Sequence, residues 1–153
     1  MAIKRVAILL EIDTGDKTNA SGTCRSDQAG GPSVPGADET YVVNITDGWH
    51  SGLDGKPNKA AMMDSCAHEL GHVMSSVFKV KGGMHEDPRQ KGEFKHIDSF
   101  DEARRSMSAD QAGRLWHNEE LAWELALKIR PEVNREQMQE ALDTYSWAKR
   151  RAD

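Results

Sequence analysis

The stretch Ala67-His68-Glu69-Leu70-Gly71-His72 constrains this chain more than any other. It lies within residues 57–78, whose pattern predicts a helix that Pro57 opens and that fades near Phe78, ahead of Gly82-Gly83. On a helix, positions four apart sit about 40° apart around the axis, so His68 and His72 leave one face. That spacing lets one helix offer two imidazoles to a small metal ion. Glu69 lies about 100° further round, where it can reach an open coordination position as a base without being a ligand. Ala67, Leu70, Val73, Met74 and Val77 make the segment mostly apolar, unlike a solvated surface helix. Gly71 costs about 1 kcal/mol of helix stability relative to Ala. Such a residue is tolerated best where another element approaches closely.

The 153 residues read as a single domain, 1–153, with a long loop over 14–38. The net charge of −5 argues against a general nucleic-acid binder while leaving a local basic patch open, and no direct nucleic-acid contact is expected. Cys24 and Cys66 make no disulfide framework and read as free thiols. The apolar run after Arg5 stops at Glu11, too short for a signal peptide, and no segment reaches membrane-spanning length. A cytoplasmic location and no membrane partner are expected.

Arg5 to Ile12 reads as a buried strand. Residues 14–38 are dense in Gly, Ser, Thr, Asp and Pro and read as loop. Glu39 to Thr46 is a second strand, with Tyr41, Val43 and Ile45 on its apolar face. Residues 47–56 read as a turn region, and 84–99 as irregular chain containing His85, His96 and Asp98. Ser99 and Ser108 each begin a capping-box pattern, and Asn134 opens a third helix start. The helix from Ser108 runs to about Arg130 and is stopped by Pro131. In the last helix, Met138, Ala141, Leu142, Tyr145 and Ala148 form a packing stripe with no chemistry assigned. The fold class is α+β: a small N-terminal sheet packed on the central helix and the C-terminal helices.

A third ligand is sought among the remaining His, Asp and Glu. Ala112, Leu115, Trp116, Ala122, Trp123 and Ala126 all fall within about 60° of Glu119 on a helical wheel. Glu119 is thus a carboxylate at the centre of an apolar face, which is expensive unless something neutralises it. His85, His96 and Asp98 remain alternatives from the loop.

His68-Glu69-Leu70-Gly71-His72 resembles the active-site helix of zincin metallopeptidases. A metzincin would need a histidine at position 78, which is Phe. Asn118-Glu119, with Ala122, Leu125 and Ala126, is similar to the second-helix motif of gluzincins, and distantly to the small phage-associated peptidases of the ImmA/IrrE type. Trp123 departs from that pattern, which has Asn or Asp there. His85 in Gly82-Gly83-Met84-His85 faintly resembles the loop histidine of SprT-like proteins.

The resemblance implies a minimal zincin fold in which Zn2+ is held by His68, His72 and Glu119 and Glu69 is the catalytic base. It implies zinc-dependent hydrolysis of a protein or peptide substrate, with His85 or His96 as oxyanion stabiliser or proton donor; Tyr41, His117 and Tyr145 carry no motif for that role. It also implies an edge strand above the central helix that pairs with extended substrate, for which 39–46 is the candidate. The alternative is a zincin-fold protein-binding or regulatory module that keeps zinc without proteolysis. Composition is silent on oligomeric state.

Overall fold

The structure, a computed structural model, describes residues 2–13, 22–46 and 58–153. It is α+β. Strands β1 (Val6–Asp13), β2 (Gly22–Ser26) and β3 (Glu39–Thr46) form one sheet in the order β1-β3-β2. Helices α1 (Lys59–Val77), α2 (Phe100–Ser106), α3 (Ala109–Ile129), α4 (Arg135–Asp143) and α5 (Ser146–Ala152) follow. No helix among the described residues is long and apolar enough to cross a membrane. Residues 47–57, including Pro57 and His50, lie outside the described residues. The first helix starts instead from Asn58, whose side chain accepts from the Ala61 N–H at 3.1 Å.

Strand β3 is the centre of the sheet. It pairs in parallel with β1, Ile8 opposite Tyr41, and antiparallel with β2, Cys24 opposite Val43. Tyr41, Val43 and Ile45 do form its core face, packing with Val73 and Met84. The Tyr41 hydroxyl donates to Glu39 at 2.9 Å and lies 3.0 Å from Ser76 Oγ on α1.

Three expectations need correction. The long loop over 14–38 contains β2 and a 3-10 turn, Asp27–Ala29. β2 has little intrinsic strand character and owes its form to pairing with β3. β3 therefore has no free edge, and the edge strand over α1 is β2. Lastly, β1 is not buried: Ile8, Leu9, Leu10 and Ile12 are exposed, and among the described residues β1 is an edge strand paired with β3 alone.

The C-terminal helices obey their caps. Ser108 and Gln111 form the complete reciprocal box, while Ser99 and Asn134 each accept one backbone N–H. The expected last helix is two helices, broken at Thr144-Tyr145. Met138, Ala141 and Leu142 pack with Ala67, Trp123 and Ala126, whereas Tyr145 and Ala148 join the Leu115–Trp147 cluster. The break lets one stripe serve two cores.

The α1–α3 crossing sets everything near His68 and His72. A Cβ on Gly71 would drive into the Ala122 carbonyl oxygen and lie 3.1 Å from Ala122 Cα. Only glycine permits this approach. Asp64 of α1 accepts from Arg130 Nε at 2.8 Å and from the Asn134 N–H at 3.1 Å, tying the far end of the crossing. Residues 84–99 are pinned to α3 by Arg114, which donates to both Glu93 oxygens at 2.7 Å and to the Glu86 carbonyl at 3.0 Å.

Two stability outcomes follow from these contacts. Gly71→Ala should cost roughly 1–3 kcal/mol or more through overpacking. Gly113→Ala, whose Cβ would meet Ala152 Cβ at an ordinary 3.4 Å, should be neutral or gain up to about 1 kcal/mol of helix propensity. Urea melts of both variants check this, and an unchanged Gly71→Ala midpoint would refute the close crossing. Hydrogen bonds from Arg114 hold the Glu93 carboxyl down at about 2, against 4.5 ordinarily. A carboxyl depressed in the folded state stabilises above its unfolded pKa, and that stability is lost as pH falls towards the folded value. Glu93→Gln should therefore cost on the order of 1 kcal/mol at neutral pH, discounted for solvent screening. The gap from wild type should close between about pH 5 and pH 2. A gap independent of pH would show that the ion pair is not its source.

Candidate metal centre

Helix α1 delivers both imidazoles to the contact with α3, and α3 delivers Glu119. His68 Nε2 lies 3.0 Å from Glu119 Oε2, and His72 Nε2 lies 3.5 Å from Glu119 Oε1. Glu119 is 3% exposed. Glu69 is also buried, and its Oε1 lies 3.4 Å from His68 Nδ1, the other nitrogen of that ring. His68, Glu69 and His72 form the one group among the described residues with ligand atoms of three His, Cys, Asp or Glu residues within 4.8 Å of one another; together they could hold a metal ion.

Electrostatics fit a cation here. Burial alone would lower the His68 pKa, but the Glu119 and Glu69 carboxylates outweigh it and carry it up to about 10. Burial likewise works to raise Glu119, yet both imidazoles hold its carboxyl well below the usual range. Two buried carboxylates thus demand positive charge at one point, which either a proton or a divalent ion supplies.

The orientation of His72 is set by a relay absent from the sequence-based expectations. Its Nδ1 lies 3.1 Å from Asn118 Oδ1, so it donates there, and Nε2 is the nitrogen that faces Glu119. Asn118 Nδ2 donates to Asp87 Oδ2 at 2.9 Å, which fixes the amide orientation. Asp87 is fully buried and receives Arg89 through Nε at 3.2 Å and Nη2 at 2.8 Å. Arg89 Nη2 also lies 3.7 Å from Glu119 Oε1. This is the support that ligating histidines receive in metal sites. Trp123, the departure from the gluzincin pattern, stacks on His68 instead, with ring centroids 4.2 Å apart and planes 10° from parallel.

These groups form the floor of a cleft of about 770 Å³. Gly22, Thr23, Cys24 and Arg25 of β2 line one side; Phe100, Arg104, Tyr145 and Trp147 line it from the helices. A Cβ on Gly22 would lie 3.3 Å from Glu69 Oε1, so β2 runs directly against that carboxylate. Cys24 and Cys66 are both free thiols, raised by burial first and by the Glu69 charge second.

His85 and His96, expected as oxyanion or proton-donor groups, do not line this cleft, and neither does Asp98. His96 and Asp98 are exposed, and His85 Nδ1 is buried with no hydrogen-bond partner. The turns after Gly83 point them away while carrying Asp87 and Arg89 inward. Tyr145, a member of the expected packing stripe that no motif recommends for chemistry, does line the cleft. The Glu119 charge, then burial, pushes its hydroxyl up to about 12. His117 is exposed beside Glu120, and Tyr41 is held in the sheet core.

No protein-family model, curated protein or solved structure matches this chain.

The relay can be tested without any substrate. Asn118→Ala frees the His72 ring and should weaken divalent-metal affinity about 10–100-fold in chelator competition, with the far-UV dichroism of the folded chain retained. Unchanged affinity would mean that Asn118 does not orient a ligand.

Proposed function

We propose that the chain is a small metal-dependent peptidase of the zincin type, with zinc as its resident metal. One observation carries this reading: the Nε2 atoms of His68 and His72 converge on the Glu119 carboxylate at the floor of an open cleft, with Glu69 beside them. His68, His72 and Glu119 are the ligand set. Glu69 is not, because its carboxylate addresses the Nδ1 edge of His68 while Glu119 addresses the Nε2 edge.

A zinc ion held by these three supplies Lewis acidity towards a water molecule and a scissile carbonyl. The protein's own groups do the rest. Glu69 accepts the proton of the attacking water and returns it to the leaving amine. Tyr145 keeps its proton across the neutral range and can donate a hydrogen bond to an oxygen that gains negative charge. Asn118 and Asp87 hold His72 in one tautomer through that change. An extended peptide fits beside β2, whose far side pairs with no other strand among the described residues. Gln90 Nε2 donates to the carbonyl of Cys24, the middle residue of β2, at 3.3 Å.

Metal content and hydrolysis separate the parts of this proposal. Wild type should carry about one zinc per chain, and Glu119→Gln should lose it or bind it far more weakly. Glu69→Gln should keep the metal and lose hydrolysis of a casein or random-peptide substrate by about 10²–10⁴-fold. Full metal in Glu119→Gln would remove that residue from the ligand set. Metal binding in wild type with no hydrolysis of any substrate would favour the alternative, a zinc-bearing binding module.

A further inference from the structure

The chain carries a net charge of −5, yet the rim of the cleft is cationic. Among the described residues its lining holds three carboxylates, Glu69, Asp87 and Glu119, and three guanidinium groups, Arg25, Arg89 and Arg104. The carboxylates are all engaged on the floor, with the imidazoles or with Asn118 and Arg89. Arg89 is engaged with Asp87. The other two guanidinium groups are not neutralised in this way. Arg25 of β2 meets Glu11 only at 3.7 Å, with both side chains more than half exposed. Arg104 of α2 has no carboxylate partner among the described residues.

Arg104 is nevertheless held. Its guanidinium lies over the Trp147 ring, 4.7 Å from the centroid. Trp147 is fixed by Phe100, edge-on at 6.3 Å, and by Arg151 at 5.2 Å. Arg151 in turn donates to the backbone carbonyls of Arg104 and Met107. Stacking occupies the face of a guanidinium and leaves its in-plane N–H edge free, the geometry that receives a carboxylate through two parallel hydrogen bonds.

We infer that the cleft selects peptides carrying an aspartate or glutamate side chain in the stretch it binds, with Arg104 on Trp147 as the specificity-determining residue and Arg25 adding charge from β2. The inference rests on the peptidase reading and names its substrate class. A peptide is favoured over a nucleic acid because the two guanidinium groups stand over the floor that the reading above assigns to peptide-bond hydrolysis, and because the chain as a whole carries a net charge of −5.

The test uses three fluorescein-labelled pools of random decapeptides, alike except for a central Glu, Gln or Lys. Their binding to zinc-loaded Glu69→Gln protein is followed by anisotropy, so that cleavage does not consume the probe. The Glu pool should bind about tenfold tighter than the Gln pool, the worth of one charge-assisted hydrogen-bonded contact, and the Lys pool weakest. Adding Arg104→Gln should erase the Glu preference while leaving the Gln pool's affinity and the thermal midpoint in place. Arg104→Lys should restore it only in part, since a lysine cannot fork. Equal binding of the Glu and Gln pools overturns the inference while leaving the peptidase reading intact. So does a preference that survives Arg104→Gln. A single-stranded oligonucleotide that displaces the Glu pool at equal concentration overturns it in favour of a nucleic-acid ligand. A Glu preference together with wild-type protein that cleaves none of the pools supports the anionic specificity and defeats hydrolysis. Binding of no pool defeats both.

Discussion

The close approach of α1 and α3 at Gly71 and Ala122 is the constraint on which the rest depends. His68 and His72 flank Gly71 along α1, and Glu119 lies one turn before Ala122 on α3. A methyl group at position 71 would wedge the helices apart and draw Glu119 off the imidazoles. The small Ala122 and Ala126 serve the same end, and both are fully buried. An isolated carboxylate at such a depth would be costly. Helix packing and site chemistry are therefore one problem here: the crossing that buries Glu119 also supplies the imidazoles that make its burial tolerable.

Around that crossing the charges alternate outward. Glu119 faces His68 and His72, His72 rests on Asn118, Asn118 on Asp87, and Asp87 on Arg89. Each buried polar atom in this series is satisfied by the next, so the floor of the cleft is polar without being loose. Arg89 ends the series at the cleft surface, with its guanidinium over Phe100 at 5.4 Å. His68 has no such polar buttress on its ring face. Trp123 holds it flat instead, so one imidazole is oriented by hydrogen bonds and the other by stacking. A polar residue at 123 is unnecessary because the loop after α1 provides the polar support from a different direction.

What could be read from the sequence divides along physical lines. Local signals were sufficient for the caps at Ser99, Ser108 and Asn134, because a capping side chain and its backbone partner lie within one turn. The wheel around Glu119 was sufficient to bring out a buried carboxylate, since helical periodicity reports burial directly. β2 was hidden because Gly-Thr-Cys-Arg-Ser has no strand pattern; its partner β3 is separated from it by a dozen residues. The central position of β3 is a tertiary fact that alternation cannot express. Asp87 and Arg89 sit in irregular chain, where no periodicity marks an inward side chain. In the sequence Asn118 stands out only as a neighbour of Glu119, and its hydrogen bond to His72 exists only once both helices are in place.

The same division explains why the cleft carries more information about its ligand than composition does. Net charge averages over the surface, and on that average the chain is acidic. The fold then sorts charges by depth: the carboxylates that reach the cleft are drawn to its floor by imidazole and guanidinium partners, while arginines are left along its rim. Arginine suits that rim because the guanidinium of Arg104 can lie over Trp147 while its N–H groups remain available to a ligand. A lysine would hydrate instead and leave the ring uncovered. The break between α4 and α5 at Tyr145 belongs to the same arrangement. Were the last helix continuous, Trp147 would leave in a different direction from the one that now seats it against Phe100, and Arg104 would have no surface on which to lie.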